Sequence, residues 1–134
     1  MLCPDQGFTS SHTILIDVTK YGGGGIIEKR LEEANIIINR NLLPWDLREG
    51  RHYVNPGGIR LGVSEVTRLG MREGEMKEVA DFITRVVVDG ISPTRVAVEV
   101  QEFKKRFTKL HYAFDSMDEA YEYIRIRGNP PSSG

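Results

Sequence analysis

A single arginine set among glycines is the segment with the clearest potential for chemistry. The run Gly57-Gly58-Ile59-Arg60-Leu61-Gly62 is typical of a short strand whose glycines let the backbone and a ligand approach closely. A guanidinium there offers a planar fork of donors, which fits a carboxylate through two parallel charge-assisted hydrogen bonds. The same pattern also fits a surface arginine beside a turn. The residues alone therefore indicate one candidate anion-binding side chain, Arg60, and leave its role open.

Other features with potential for chemistry are weaker. The run Gly22–Gly25 could hold a phosphate at the start of a helix, but it has neither GxxxxGK[ST] spacing nor GxGxxG with a following acid. It therefore predicts a flexible connection between a strand and a helix. His12, His52 and His111 have no metal-ligand spacing, and Trp45 could stack on a ring-shaped ligand or anchor its own loop. No metal site and no catalytic residue are predicted.

Composition bounds the class of protein. The chain has 134 residues, 40% of them hydrophobic and 28% charged, with a net charge of −1, which is typical of one soluble globular domain. No basic cluster is interleaved with aromatics, so no nucleic-acid partner is expected. No apolar run is long enough to span a bilayer, and no secretory leader is visible at the start. The single Cys3 excludes an intrachain disulfide framework, so a cytoplasmic location is expected.

Hydrophobic periodicity predicts an α+β domain, a small and mostly antiparallel sheet with helices packed on it. Three short strands are predicted at residues 13–18, 36–39 and 57–62. Helices are predicted at about residues 25–34, at 72–88, from Ser92 onward and from Ser116 onward. Asn35 should end the first helix in the left-handed conformation, Ser92 should cap the third with Pro93 in its first turn, and Ser116 with Glu119 has capping-box spacing.

Three stretches that occur together and in order carry a family resemblance. They read GFTSSHTILIDV at 7–18, EANI running into NRNLLPWD at 33–46, and GIRLGVSEVTRLGM at 58–71. The series resembles the C-terminal domain of serine hydroxymethyltransferases, with their Asn-Lys-Asn…Pro loop and Gly-Ile-Arg-Ile-Gly…Thr-Arg-Gly-Met block. It covers residues 7–88 well. The Tyr-Gly-Gly-Gly-Gly run and Trp45 are similar to archaeal members.

The resemblance implies a fold, a reaction and two site residues. The fold would be the small domain of the aspartate-aminotransferase-like (fold type I) pyridoxal enzymes. The reaction would be pyridoxal-phosphate-dependent interconversion of serine and glycine with tetrahydrofolate, or with a modified pterin as in archaea, in an enzyme that is at least a homodimer. By match, Arg60 would bind the substrate carboxylate and Asn41 would contact the pterin. Arg40 lies between the two asparagines, where many members have lysine.

The part of the family that holds the cofactor is missing from this stretch. Pyridoxal enzymes need a Schiff-base lysine, which in the family sits in a Thr/His-Lys-Thr context. The six lysines are Lys20, Lys29, Lys77, Lys104, Lys105 and Lys109, and none has that context. The resemblance therefore implies a small domain over 1–127 with a disordered or appended tail at 128–134, inactive alone and partnered by a large pyridoxal-binding domain.

Two further hypotheses keep the fold and change the function. The chain could be the small domain of another fold type I pyridoxal enzyme, although such enzymes have no pterin for the Asn39–Asp46 loop to hold. It could also be a non-catalytic binding or assembly module derived from the same domain, since surface normally covered by a missing domain favours association.

Overall fold

The structure, a computed structural model, describes residue 5 and residues 11–108, and its sheet has three antiparallel strands. The central strand is the one that carries Arg60, so both of its edges are hydrogen-bonded. The strands are β1 (Thr13–Asp17), β2 (Asn39–Asn41) and β3 (Gly58–Gly62), in the spatial order β1-β3-β2.

Four α-helices complete the described part of the chain. They are α1 (Gly24–Glu33), α2 (Ser64–Arg68), α3 (Glu73–Val87) and α4 (Pro93–Lys105), with a short 3-10 helix at Thr19–Tyr21. The α1 helix contacts β2 and β3, while α3 and α4 pack on α1 and on each other. The helices therefore cover one face of the sheet and leave the other face to solvent, the expected layering of a small α+β domain.

The core lies between the helices and the covered face of the sheet. Side chains alternate between the two faces of a strand, so Ile59, 1% exposed, points to the core while Arg60 is exposed on the opposite face. Phe82 of α3 meets Phe103 of α4 edge to face, with ring centroids 5.7 Å apart. The buried cluster comprises Val18, Ile27, Leu31, Ala34, Ile38, Ile59, Met71, Phe82, Val86, Val87, Val96, Val100 and Phe103.

The strand expected at residues 36–39 is displaced toward the C-terminus. Asn35 ends α1 with φ of 61°, as predicted, and Ile36 N donates to Leu31 O at 2.9 Å, which is the helix-closing bond of a Schellman turn. That bond commits Ile36 to the helix end, and Ile37 is 78% exposed. Pairing with β3 begins only at Asn39. The strand predicted from the three β-branched residues Ile36–Ile38 was therefore placed too early in the sequence.

The helices agree with the expected positions to within a residue or two. The α3 helix runs from Glu73 to Val87, and α4 begins at Pro93 after Ser92. The Ser92 hydroxyl, however, makes no cap bond and lies 2.9 Å from the Thr94 hydroxyl instead. The five-residue α2 helix was not predicted, because it is too short to show a hydrophobic period.

Two expectations concern residues that the structure does not describe. The last helix, from Ser116, and the tail at 128–134 both lie outside the described residues. Within the described part of the chain, no helix is long and apolar enough to cross a membrane.

Candidate functional site

The side of the sheet opposite the helices, called here the open face, has Arg60 at its centre. Pairing places Leu15 of β1 and Asn39 of β2 on either side of Arg60. Alternation along the strands adds the next residues but one to the same face. The open face therefore comprises Thr13, Leu15, Asp17, Asn39, Asn41, Gly58, Arg60 and Gly62.

Arg60 has free space on one side along its own strand. Its neighbours on the open face, Gly58 and Gly62, carry no side chain. A methyl group at Gly62 would meet nothing within 4 Å, whereas one at Gly58 would come 2.6 Å from Leu43 Cδ2. Leu43 thus closes the Gly58 end, and the guanidinium can extend over the Gly62 end.

The guanidinium of Arg60 is also unengaged. Arg60 is exposed, and within residues 11–108 it makes no side-chain hydrogen bond and no ion pair. An arginine held on a central strand without an intrachain anion can accept one from outside, through two parallel hydrogen bonds.

Asn41 ends β2 on the same face as Arg60. It pairs with Gly58 and so lies diagonally to Arg60, about 7–8 Å away by sheet geometry. The side chain is half-buried, and its Nδ2 donates to Leu42 O at 2.8 Å. Its Oδ1 accepts no hydrogen bond from the described residues, which leaves an acceptor and a second N–H available. The structure thus places the two predicted site residues on one face.

A buried aspartate ties together the strands that carry these two residues. Asp46 is 0% exposed, and its Oδ2 accepts from Leu43 N at 2.8 Å and from Gly57 N at 2.7 Å. Leu43 follows β2 and Gly57 precedes β3, so one carboxylate oxygen joins the exit of one strand to the entrance of the next. The other oxygen, Oδ1, is buried without a partner among the described residues.

Sequence reasoning did not single out Asp46. A short polar residue in a loop is the usual pattern for any turn, and nothing nearby distinguishes a carboxylate that bridges distant backbone positions. Asp46 can contact both Leu43 N and Gly57 N only because folding brings these two backbone groups together.

The glycine run allows two backbone segments to pack closely, and its backbone N–H groups are already hydrogen-bonded. Gly24 N donates to Pro56 O at 2.6 Å, and Gly25 N donates to Asn55 Oδ1 at 3.0 Å. A side chain at Gly24 would collide with the carbonyl oxygen of Gly58. These N–H groups are the ones that a phosphate would need, so the structure agrees with rejecting a phosphate site. The run does lie between a strand and a helix, with Gly24 and Gly25 already inside α1. Gly23, Gly24 and Gly25 are buried against the 54–58 segment, while Gly22 is exposed.

Arg40 belongs to the opposite face from its neighbours Asn39 and Asn41. It pairs with Ile59 and so points toward α1, where its guanidinium lies 3.5 Å from Glu28 Oε2 and donates to Val54 O at 3.2 Å. The guanidinium also lies 5.4 Å from the centroid of the Tyr53 ring. Arg40 therefore ties β2 to α1 and to the 42–57 loop, and it is not aimed at a ligand on the open face.

The remaining candidates have ordinary roles. His12 is exposed, and its carbonyl accepts a bond from Val63 N at 3.0 Å. Trp45 is half-buried in the 42–57 loop. The described part of the chain contains no group of three or more metal-ligating side chains. His111 lies outside the described residues.

The lysines of the described part do not form a cofactor site. Lys20, Lys29, Lys77, Lys104 and Lys105 are all exposed, and none lies on the open face. A Schiff-base lysine needs an enclosed site that holds the cofactor ring and phosphate, and the exposure of these five side chains does not fit such a site.

Comparison with known proteins places the site in a family. A model of the serine hydroxymethyltransferase family matches residues 5–83, a range that contains Asn41, Asp46 and Arg60. The chain belongs to the serine hydroxymethyltransferase family. The archaeal likeness is also confirmed: a serine hydroxymethyltransferase of Korarchaeum cryptofilum is 58% identical over 117 residues, and one of Cenarchaeum symbiosum is 53% identical over 127 residues.

The match covers a part of those relatives only. It includes 95% of this chain but 29% of the Cenarchaeum symbiosum protein, and 87% of this chain but 27% of the Korarchaeum cryptofilum protein. Because the first of these alignments includes 127 of the 134 residues, it extends past Thr108. This stretch of the family therefore corresponds to one domain of a longer enzyme.

A solved structure supports the fold. The L-threonine transaldolase of Pseudomonas fluorescens, determined in its internal aldimine state, superposes with a TM-score of 0.60 at 26% identity, over 91% of this chain and 28% of that one. The three-stranded antiparallel sheet and its helices agree with the expected α+β class.

Proposed function

We propose that this chain acts as the substrate-binding small domain of a pyridoxal-phosphate-dependent serine hydroxymethyltransferase, with Arg60 binding the amino-acid carboxylate. The observation that carries the proposal is the environment of Arg60. Its side chain is exposed, it has a glycine two positions away on each side along its strand, and it has no anionic partner among the described residues. Serine and glycine share the carboxylate, so one guanidinium can hold substrate and product alike.

The physical role of Arg60 would be to hold the substrate in a fixed orientation. A bidentate pair fixes both position and plane of a carboxylate. Orientation of this kind lowers the barrier by removing the entropy of alignment from the reaction step. A lysine at position 60 would supply the positive charge without the planar pair of donors. We therefore expect weaker serine binding even for Arg60→Lys.

Asn41 would contact the pterin co-substrate. A pterin edge presents donors and acceptors side by side, and an amide can match both. With one N–H held by Leu42 O at 2.8 Å, Asn41 still offers Oδ1 and its second N–H in a fixed orientation. Trp45, three residues beyond Leu42 in the same loop, is the candidate for distinguishing tetrahydrofolate from a modified pterin.

The described residues do not fit pyridoxal phosphate as a resident cofactor. Every described lysine is exposed, and the glycine-run donors that could bind a phosphate are occupied by Pro56 O and Asn55 Oδ1. The cofactor, which supplies the electron sink for carbanion chemistry, would be held by a large domain of the same enzyme. We expect that full enzyme to be a cytoplasmic homodimer and the present chain to be inactive alone.

Reconstitution tests this proposal directly. The chain is mixed with a separately produced large domain of a matching hydroxymethyltransferase, and serine cleavage is assayed with tetrahydrofolate and with a modified pterin. Activity is expected in the mixture and in neither part alone. Arg60→Ala and Arg60→Lys should raise KM for serine steeply. Arg95→Ala, which removes an exposed arginine from α4, should leave it unchanged.

Two results would contradict the proposal. Full activity of the Arg60→Ala mixture would show that another group binds the carboxylate. Stable association without activity, with either pterin, would favour the non-catalytic assembly module, for which the exposed Leu47, Tyr53 and Val54 of the 42–57 loop would provide contact surface.

A titration of the isolated chain tests the cofactor assignment separately. Adding pyridoxal phosphate to the chain alone should produce no stoichiometric visible absorbance band. A saturable band at one equivalent would mean that this domain holds the cofactor itself.

A further inference from the structure

The ladder between β2 and β3 sets the position of Asn41 relative to Arg60, and it is only three residue pairs long. Arg40 N, in the middle of β2, donates to Glu28 Oε1 at 3.2 Å and so does not bond to β3. Opposed residues of an antiparallel ladder alternate between hydrogen-bonded and non-hydrogen-bonded pairs. The N–H of Asn41 therefore points to β3, where its pair with Gly58 is the last of the ladder.

The ladder cannot continue beyond Asn41 in the same way. The next hydrogen-bonding position along β2 would be Leu43, which the register would place opposite Pro56. Pro56 has no backbone N–H to donate, and its carbonyl oxygen accepts from Gly24 N at 2.6 Å. Leu43 N donates instead to Asp46 Oδ2 at 2.8 Å. The carboxylate of Asp46 thus takes over where the ladder ends.

The same carboxylate oxygen also holds the start of β3, because Gly57 N donates to Asp46 Oδ2 at 2.7 Å. Gly57 lies three residues before Arg60, and Leu43 lies two residues after Asn41. One buried oxygen therefore joins the strand of Arg60 to the strand of Asn41, beyond the end of their ladder.

The position of Asp46 is itself fixed by its own backbone. Asp46 N donates to Leu43 O at 3.1 Å, and Asp46 O accepts from Arg51 N at 2.8 Å. The residue is 0% exposed, so water does not compete for the two N–H groups that its side chain accepts. A methyl group at Gly57 would come 2.6 Å from Asp46 Oδ1, so the glycine permits this close approach.

We propose that Asp46 is a positioning residue for the pterin: it holds Asn41 at a fixed distance from the carboxylate-binding Arg60. This inference rests on the proposed function, which supplies the roles of Asn41 and Arg60. Transfer of a one-carbon group from serine to a pterin needs both molecules in fixed relative positions. The edge strand β2 pairs only with β3, whereas β3 also pairs with β1, so loss of the carboxylate should displace Asn41 more than Arg60.

Amide hydrogen exchange of the full 134-residue chain tests the positioning without any assay of activity. The N–H of Asn41 points to β3, and by the same alternation the N–H of Leu61 points from β3 to β1. Asp46→Ala should accelerate exchange about tenfold more at Asn41 than at Leu61. Val96→Ala, at a buried position of α4, should accelerate both by the same factor, because it destabilises the domain as a whole. Equal acceleration at the two amides in Asp46→Ala would overturn the proposal.

Kinetics of the reconstituted enzyme test the consequence for the pterin. In Asp46→Ala, KM for the pterin should rise about tenfold and KM for serine less than about threefold. Asp46→Asn keeps an oxygen that can accept from both N–H groups, so it should restore KM for the pterin. Val96→Ala should lower the active fraction, and with it the apparent kcat, while both KM values stay unchanged. An unchanged KM for the pterin in Asp46→Ala, or an equal rise in Asp46→Asn, would overturn the proposal.

Arg60→Ala separates a failure of this inference from a failure of the proposed function. It should raise KM for serine and leave KM for the pterin near that of the parent, the reverse of Asp46→Ala. If Arg60→Ala changes neither value, the proposed function is wrong. If Arg60→Ala behaves as expected but Asp46→Ala leaves KM for the pterin unchanged, the proposed function stands and the role of Asp46 is overturned.

Two further outcomes also give a decision. An inactive parent mixture would overturn the proposed function, and the exchange experiment would then decide alone whether Asp46 positions Asn41. If Asp46→Ala does not fold, Asp46→Glu replaces it in both experiments, because the extra methylene group displaces the carboxylate from the two N–H groups.

Discussion

Arg40 and Arg60 lie on adjacent strands of one sheet and have opposite roles. Arg40 pairs with Ile59 and faces the helices, where Glu28, Val54 O and the Tyr53 ring surround its guanidinium. Arg60 pairs with Asn39 and faces solvent, with no intrachain hydrogen bond or ion pair in the described part of the chain. A shift of one position in the strand alternation separates an arginine that holds the fold from one that is free to bind.

The difference extends to the surroundings of each arginine. On the helix side, Gly24 N and Gly25 N donate to Pro56 O and Asn55 Oδ1. Asp46 accepts from two backbone N–H groups at the ends of the same loop. On the open face, the Gly62 end of the strand leaves space beside Arg60. Substitutions on the first side should therefore change the free energy of unfolding, while those on the second should change only binding.

The largest effect on stability is expected from Asp46→Ala. It would leave the buried N–H groups of Leu43 and Gly57 without acceptors, at a cost of about 3 kcal/mol. Urea unfolding of the chain measures the loss. Asp46→Asn keeps one acceptor oxygen and should cost less, and Asp89→Ala, at an exposed position, should cost little. A loss below about 1 kcal/mol for Asp46→Ala would mean that the loop does not depend on this carboxylate.

A somewhat smaller loss is expected from Gly24→Ala. The new methyl group would collide with the Gly58 carbonyl oxygen, which is backbone and cannot rotate away, so we expect a cost of about 2 kcal/mol. Gly74→Ala is the matched control, since nothing lies within 4 Å of the added carbon and alanine favours a helix by up to about 1 kcal/mol. Equal effects of the two changes would show that the glycine run is not a packing site.

The two arginines themselves should differ by a modest amount. Arg40→Ala removes the Glu28 pair and the bond to Val54 O, and because the side chain is 30% exposed the loss should be only about 1 kcal/mol. Arg60→Ala should stay within about 0.5 kcal/mol of the parent. Thermal or urea unfolding of both variants measures this difference. A larger loss for Arg60→Ala than for Arg40→Ala would reverse the comparison.

The smallest effect concerns a third arginine, whose partner titrates. Arg85 of α3 donates to both carboxylate oxygens of Glu99 on α4, at 2.7 and 2.6 Å. The hydrogen bonds from Arg85 lower the pKa of Glu99 below its ordinary value of 4.5. Because folded Glu99 then holds fewer protons than unfolded Glu99, the pair stabilises the fold above pH 4.5 and loses that contribution as pH falls through the lowered pKa.

Comparison of unfolding free energies at neutral and acid pH tests this. The stability difference between the parent and Glu99→Gln should shrink on acidification. In an Arg85→Met background, Glu99→Gln should show no such shrinkage. The same pH dependence in both backgrounds would show that a group other than Arg85 lowers the pKa of Glu99.

The sequence predicted the elements with strong local signals. The glycine-bounded strand at Arg60 and the long apolar period of α3 were placed to within a residue or two, because strand and helix periods are properties of neighbouring residues. The start of β2 was misplaced, since Ile36–Ile38 has strand composition but Ile36 N is committed to the end of α1. The α2 helix left no periodic signal.

The site residues that lie in short contiguous motifs could also be predicted from the sequence. Arg60 and Asn41 were indicated by a family resemblance in short contiguous motifs, and the structure places them on one face. Asp46 and Asn55 were not indicated, because their partners lie 11 and 30 residues away in sequence. No local pattern distinguishes such a carboxylate or amide from an ordinary loop residue.

The sequence by itself determined the family, the main helices and the strand that carries Arg60, since each is recorded in the order and spacing of adjacent residues. Only the tertiary structure decided that Arg40 has partners while Arg60 has none in residues 11–108, that the buried glycines of the 22–25 run allow close packing, and that Asp46 joins two strands. Those properties depend on strand register and on which distant backbone groups become neighbours, and both are settled when the helices and sheet pack together.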